Sequence, residues 1–280
     1  MSSDLPYRLT VSQSQSITKN MRRVTLTGDD LAEFPEGCEG GYVKLLFPPH
    51  GETELPSAEA VDAGAPVIMR TYTVRKFNKA DLTLDIDLVL HGEVSEDSSL
   101  TSSSSTKSKS GPASSWAAHT QPGDHMLMYG PGKVKFAQAD ADWLLFAGDM
   151  TALPAISCQL EQLPDNARGY AVIEINADED QQDLKKPEGI EIIWVVNSHP
   201  DNENTVLSDA VKALPWLSGK VAIWAACEFS NMRLLRSYFK QEKQVGRDQL
   251  YVSSYWKMGQ TEDKHKIIKK QDAISENAAT

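Results

Sequence analysis

MRTYTVRKF, residues 69–77, alternates in a way that predicts a single β-strand, and it sets Arg70, Tyr72 and Thr73 in one short run. Side chains two apart on a strand share a face, so Arg70 and Tyr72 stand side by side. Two readings fit that pairing. One is a solvated sheet face, where Tyr and Arg are common. The other is a platform for a planar, phosphate-bearing ligand, with the phenol stacking and the guanidinium on the phosphate. The rest of the chain has to choose between them.

Runs of the same kind surround it. RRVTLTG (22–28), GYVKLLFP (41–48) and LTLDIDLVLH (82–91) are short, and Gly, Pro and polar turns separate them. In the last run Leu82, Leu84, Ile86, Leu88 and Leu90 fall on one face, and Thr83, Asp85 and Asp87 on the other, the period of a half-buried strand. Several such strands at close spacing predict a small barrel. The segment 94–111, VSEDSSLTSSSSTKSKSG, is almost free of apolar groups and is expected to be a mobile surface insertion.

After the turn GPGKVKF (130–136) the rhythm changes. WLLFAG, YAVIEIN, IEIIWVV, KVAIWAAC and LYVSSYW read as strands, and TALPAISCQLEQL, VLSDAVKAL and NMRLLRSYFKQ as the helices between them. Alternating buried strands and helices predict a parallel α/β sheet. Three domains of sequence are therefore expected: a barrel over 1–139 with an insertion at 94–110, an α/β domain over 140–258, and a charged tail over 259–280 with helical character.

The chain has 280 residues, a formal net charge of -11 and 40% hydrophobic residues. Such an acidic chain lacks the basic face that nucleic acid or a membrane surface requires. No apolar run is long enough to span a bilayer, and the first ten residues, MSSDLPYRLT, do not follow the basic-then-apolar pattern of a secretory signal, so a cytoplasmic protein is expected. Cys38, Cys158 and Cys227 are odd in number and far apart, which predicts neither a disulfide framework nor a metal site. No apolar seam stands out, and a monomer is expected.

Three turns carry candidate chemistry. GPASSWAAH (111–119) leads from a glycine into a helix start, where backbone N–H groups and the hydroxyls of Ser114 and Ser115 form either a diphosphate cradle or an ordinary helix cap. FAGDMTALPAI (146–156) is a strand, a glycine turn and a helix with Pro154 in its first turn, but it lacks the full G-x-G-x-x-G fingerprint. WAACEFSNMRLLR (224–236) repeats that geometry, with Glu228 at the turn and Arg233 and Arg236 on the helix as candidates for a nucleotide phosphate or for a solvated basic face.

In this order the motifs resemble the ferredoxin-reductase-like flavoproteins, and within them the siderophore-interacting protein family. The resemblance runs from Tyr7 to Asp263 and rests on YVKLLFP, RTYTVR, DIDLVLHG, GPASSWA, AGDMTALPAI, ARGYAVIEI, WAACE followed by RLLRSYF, and SYWKMGQTED. It implies an N-terminal six-stranded antiparallel barrel that binds FAD and a C-terminal parallel-sheet domain for a nucleotide. It implies that Arg70 neutralises the FAD phosphates, Tyr72 stacks on the isoalloxazine and Thr73 lies at its reactive edge. Asp87 and His91 would lie near the adenosine half or its phosphates. Gly111, Ala113, Ser114 and Ser115 would wrap the diphosphate, and Thr151 and Ala152 would touch the cofactor. The flavin carries the chemistry, so no catalytic side chain and no metal ligand is expected.

The implied substrate is a ferric siderophore, reduced so that Fe(II) is released. Lys44 and Lys257 match the family's basic substrate positions, with Trp256 as a wall, and the third basic position falls on Lys133 or Lys135. Electrons would come from NADH or NADPH, with reduced ferredoxin as the open alternative. Two other readings stay open at this point: a general flavin reductase serving a protein acceptor, and a non-enzymatic flavoprotein that carries siderophore.

Overall fold

The structure is a computed structural model that describes residues 5–49, 51–90, 111–135, 140–199 and 204–278. The serine-rich segment and His91 lie outside them. The chain divides into two compact units, Met1–Val134 and Lys135–Thr280.

The first unit is an antiparallel sheet of β1 (Tyr7–Thr18), β2 (Met21–Thr27), β3 (Tyr42–Phe47), β4 (Ile68–Thr73), β5 (Lys76–Asn78), β6 (Thr83–Val89) and β7 (His125–Tyr129). Six are full strands and β5 is a three-residue piece. Their order is β4-β3-β7-β1-β2-β6-β5. The two edge strands, β4 and β5, are joined by Val74 and Arg75 alone, so the sheet has to curl until its edges meet, and β4 packs on β6. The opening stretch is thus two strands and not one. Val74 is the corner between them: it is fully buried, its carbonyl accepts from Gly40 N–H at 2.9 Å, and Arg75 N–H already donates to Asp85 on β6.

Alternation decides the filling. Leu84, Ile86 and Leu88 of β6, Val24 and Leu26 of β2, and Val43 and Leu45 of β3 all point inward at 0% exposure. Each buried side chain of this size stabilises the fold by about 1.5–3 kcal/mol. Leu82 packs against the same core as Leu84, Ile86 and Leu88, but from outside the strand. It sits at φ +48° in the turn before Thr83, and its carbonyl accepts the Thr27 hydroxyl. The helix α2 (Pro112–His119) plugs the barrel with Ala113 and Ala117, while a short α1 (Ala58–Asp62) covers Leu46 and Leu127 on the outer side.

The second unit is a parallel sheet of β8 (Trp143–Asp149), β9 (Gly169–Ile175), β10 (Ile190–Val196), β11 (Val221–Glu228) and β12 (Leu250–Trp256), in the order β10-β9-β8-β11-β12. Every neighbouring pair is parallel. The helices α3 (Leu153–Gln162), α4 (Val206–Ala213) and α5 (Phe229–Ser237) return the chain, and α6 (Glu262–Ala278) closes it. The sheet winds outward from β8 in both directions, which puts its switch point between β8 and β11, the place where open α/β sheets receive ligands. No helix among the described residues is long and apolar enough to cross a membrane.

Candidate functional site

In the first unit, β4 presents Ile68, Arg70 and Tyr72 on one half-buried face, opposite Phe47, Leu45 and Val43 of β3. Ile68 and Tyr72 lean on the barrel core. Arg70 Nη1 donates to the Met69 carbonyl at 2.8 Å, and no carboxylate among the described residues pairs with it. A half-buried guanidinium without an acid is a standing anion receptor. Thr73, 8% exposed, ends the strand.

The start of α2 belongs to the same unit. Gly111 is its N-cap and Pro112 its first residue, so the capping residue itself brings no side chain. Pro lacks the N–H that this position would leave idle, so it costs the first turn no hydrogen bond. The helix separates the two serines: Ser114 is 2% exposed and packs inward with Ala113, whereas Ser115 is exposed.

Asp87 lies on the wall of the barrel at 5% exposure. Arg23 takes both of its oxygens, at 2.7 and 2.8 Å, and Arg75 Nε stands 3.8 Å away. What Asp87 offers a ligand is therefore the placing of two arginines rather than a free carboxylate. His91, its expected partner, is outside the described residues.

On the outer face of β3, Tyr42 is 46% exposed, and Lys44 follows two residues later on the same side, paired with Thr71 and Tyr129. Gly132 lies against the Tyr42 ring so closely that a Cβ would come within 2.0 Å of it, which brings the exposed Lys133 beside the same tyrosine. Lys135 belongs to the other unit, where its carbonyl accepts the Trp224 indole N–H at 2.7 Å.

In the second unit the carboxyl edge of the sheet is built around acids. Asp149, at the end of β8, accepts from Thr151 N–H (2.9 Å) and hydroxyl (2.5 Å), Glu228 N–H (2.9 Å) and Trp256 Nε1 (2.8 Å). Burial pushes its carboxyl above the usual range although these bonds pull the other way. Glu174, paired with Asp149 across β8 and β9, is also raised by burial, while Asn197 and Asn204 donate to it at 2.9 and 3.0 Å. Glu228 caps α5 through Ser230 N–H and accepts Met258 N–H. Gly148 is required here, because a Cβ would meet Ala152 at 2.8 Å and Ala226 O at 2.9 Å.

This network holds several of the expected residues. Thr151 donates its N–H and hydroxyl hydrogen to Asp149, and Ala152 is fully buried. Arg236 sits in the last turn of α5 and is held by Asp272 (2.7 Å) and Glu276 (3.0 Å) of α6, with Arg233 3.5 Å from Asp272. Both arginines face α6, Arg233 from the middle of α5 and Arg236 from its last turn. Glu228 does lie on the carboxyl edge. Trp256 is anchored by Asp149, and Lys257 rests over the Phe229 ring, 4.5 Å from its centroid.

Asp149, Glu174, Asn197, Asn204 and Asn231 were not singled out from the sequence. The signal was a carboxylate at the end of each apolar strand, in WLLFAGD and YAVIEI, where burial makes a charge expensive. The three cysteines are buried and form no disulfide, burial drives the Cys227 thiol well up, and no metal-binding cluster occurs among the described residues.

Comparison with known proteins agrees with this division. Residues 10–135 match the siderophore-interacting FAD-binding domain and residues 141–259 the siderophore-interacting protein model. The chain is 34% identical over 265 residues to ferric vibriobactin reductase ViuB of Vibrio cholerae, covering 92% of each. It superposes on the siderophore-interacting protein SipS of Aeromonas hydrophila with a TM-score of 0.79 and 31% identity, over 97% of this chain and 99% of that one. Ferredoxin-NADP+ reductase of Plasmodium falciparum, at 12% identity and a TM-score of 0.56 over 86% of this chain and 94% of that one, shares the fold.

Proposed function

Because the chain belongs to the siderophore-interacting protein family, we propose that it is an FAD-dependent reductase that takes electrons from a nicotinamide nucleotide and reduces ferric siderophores, releasing Fe(II). The observation that carries this reading is that one barrel holds both the acid-free guanidinium of Arg70 and a helix that starts from a glycine and a proline at Gly111 and Pro112. Each feature suits a diphosphate, and the residues present fit FAD.

Bound FAD supplies a centre that accepts an electron pair and passes electrons on singly. The chain's own residues do the rest. Arg70 and the first-turn N–H groups of α2 hold the diphosphate, with the exposed Ser115 hydroxyl beside them. Tyr72 gives the ring system a flat apolar support along β4, and Thr73 supplies a hydroxyl at its end. Asp87 fixes Arg23 and Arg75 on the barrel wall. Lys44 and Lys133 offer positive charge to an anionic ferric siderophore, and Lys257 beside Trp256 is the third candidate. Reduction makes chemical sense as release: hard oxygen ligands hold Fe(III) by charge, and Fe(II), with less charge, is held far more weakly.

The test is anaerobic. The FAD-loaded protein is reduced with NADH or NADPH, a ferric siderophore is added, and Fe(II) is captured by a chelator. Flavin reoxidation in step with Fe(II) capture supports the reading. Reduced flavin that persists in the presence of every ferric siderophore offered leaves only a carrier. Reoxidation by protein acceptors alone marks a general flavin reductase.

A further inference from the structure

Starting from the reading that the chain reduces ferric siderophores, we infer that Tyr42 is a specificity-determining residue. Its exposed ring is the contact that favours siderophores whose iron ligands are aryl rings, such as catecholates, over aliphatic hydroxamates.

Burial alternates along β3. Val43 and Leu45 fill the barrel, and Tyr42, Lys44 and Leu46 take the outer face. Cover runs out along that face. Leu46 is fully buried with Ala58 and Val61 of α1, Lys44 is half-buried, and Tyr42 is 46% exposed. Tyr42 is the one exposed aromatic side chain among the described residues. A single exposed ring is ordinary on a protein surface. Three features set this one apart.

The first is its place. The cross-strand partner of Tyr42 is Thr73 of β4, the residue whose hydroxyl the reading above gives to the end of the flavin ring system. Side chains directly opposed on neighbouring strands start about 4.5–5.5 Å apart at Cβ. A substrate that comes to that end meets the Tyr42 ring.

The second is that the ring is held. Gly132 N–H donates to the Tyr42 carbonyl at 2.7 Å, and a Cβ on Gly132 would come within 2.0 Å of the ring. Only glycine leaves the ring this position. A ring already held in place loses little freedom when a ligand arrives.

The third is the charge beside it. Lys44 lies two residues along the same face, between Thr71 of β4 and Tyr129 of β7. A ferric complex of catecholates is strongly anionic and carries flat aromatic rings. A ferric complex of aliphatic hydroxamates offers neither feature. The ammonium attracts any anion and cannot tell an aryl ligand from another. The ring can, because aromatic pairs in offset or edge-on geometry gain beyond the area they bury.

The experiment uses gallium(III) in place of iron. It forms the same complexes and is not reduced, which separates binding from electron transfer. Calorimetry compares the Kd of the FAD-loaded protein for the Ga(III) complexes of a tris-catecholate and of a linear tris-hydroxamate siderophore. Tyr42→Leu keeps apolar bulk and removes the ring. It should weaken the catecholate complex by about two- to tenfold, equivalent to about 0.4–1.4 kcal/mol, and change the hydroxamate complex by less than about twofold. Tyr42→Phe should bind as the unaltered protein does. The loss should persist at high salt, since salt screens an exposed charge and not a ring contact. FAD content is measured for each variant. Unchanged catecholate binding in Tyr42→Leu overturns the inference. So do equal losses for both complexes, a loss as large in Tyr42→Phe, and a loss that follows loss of FAD. Each of these leaves the reductase reading intact. If the unaltered protein binds neither gallium complex and reduces neither ferric one, the reductase reading falls and this inference with it.

Discussion

Arg70 is the residue on which the cofactor reading turns. A charge-assisted bond to a phosphate in a half-buried setting contributes on the order of 1.5–3 kcal/mol. Arg70→Ala should therefore weaken FAD retention about tenfold or more, with Arg70→Lys recovering part of it; a purified Arg70→Ala protein with its full flavin complement would remove the role. Glu174 gives a stability prediction. Burial raises its folded value above the usual 4.5, so its contribution is present below that value and is lost as pH rises through the folded one. Glu174→Gln should then melt at or above the temperature of the unaltered protein at pH 7.5, with the advantage shrinking toward pH 4.5. A Tm deficit at pH 7.5 that is absent at pH 4.5 would reverse that sign. The sequence exposes Arg70 and Tyr72 because a two-residue period on a strand is readable without a structure. It hides Asp149 and Asn231 because their roles depend on strands and helices that meet only after folding.

At the scale of elements, α6 shows how a tail that reads as charged becomes a docked helix. Its Asp272 and Glu276 take Arg236, Lys269 Nζ donates to Ser253 Oγ (2.7 Å) and the Ser254 carbonyl (2.9 Å), and His265 Nε2 lies 2.8 Å from Ser254 Oγ. Burial first, then Lys269 and Lys257, lowers the His265 value, against Glu262 and Glu228. A depressed value means that its contribution is present above the unfolded value of about 6.5 and is lost as pH falls below it. Amide exchange across residues 262–276, corrected for intrinsic rates, should accelerate between pH 7.5 and 5.5, and His265→Gln should remove that pH dependence. Flat protection over the interval would show that α6 is held by its ion pairs alone. The strands of the second unit were legible because each is mostly apolar, with few polar breaks, as in IEIIWVV and VAIWAACE. In the barrel, β1 and β7 were not among the runs singled out. The second half of β1, SQSQSIT, carries no inward apolar face, and β7 is only five residues long. The corner at Val74 was unreadable, since alternation continues through it and only the sheet order reveals that the chain has changed edges.

For the whole molecule, the decisive quantity is a net charge of -11 set against a substrate class that is often anionic. At long range such a substrate is repelled, so productive docking requires local positive charge. In the first unit that charge is offered by Lys44, two residues from the exposed Tyr42 on β3, and by the exposed Lys133, next to the Gly132 that lies against the Tyr42 ring. Neither lysine is buried, so each is worth only about 0.2–1 kcal/mol. The double variant Lys44→Ala, Lys133→Ala should then raise KM for an anionic ferric siderophore by between about twofold and thirtyfold. Flavin content and reduction by nucleotide should stay unchanged, because neither residue lies on the Arg70 face of the barrel. Screening separates this from a loss of shape. Raising the salt from 0.15 M toward 1 M shortens the Debye length from about 8 to about 3 Å, so the gap between variant and unaltered protein should close with salt. For a neutral ferric hydroxamate the gap should be small at every salt concentration. The measurement is steady-state reduction of both substrate types at two ionic strengths. An unchanged KM for the anionic substrate at low salt would make these lysines ordinary surface groups. A KM increase that persists at high salt would mean that the Tyr42 face recognises the substrate by contact rather than by charge.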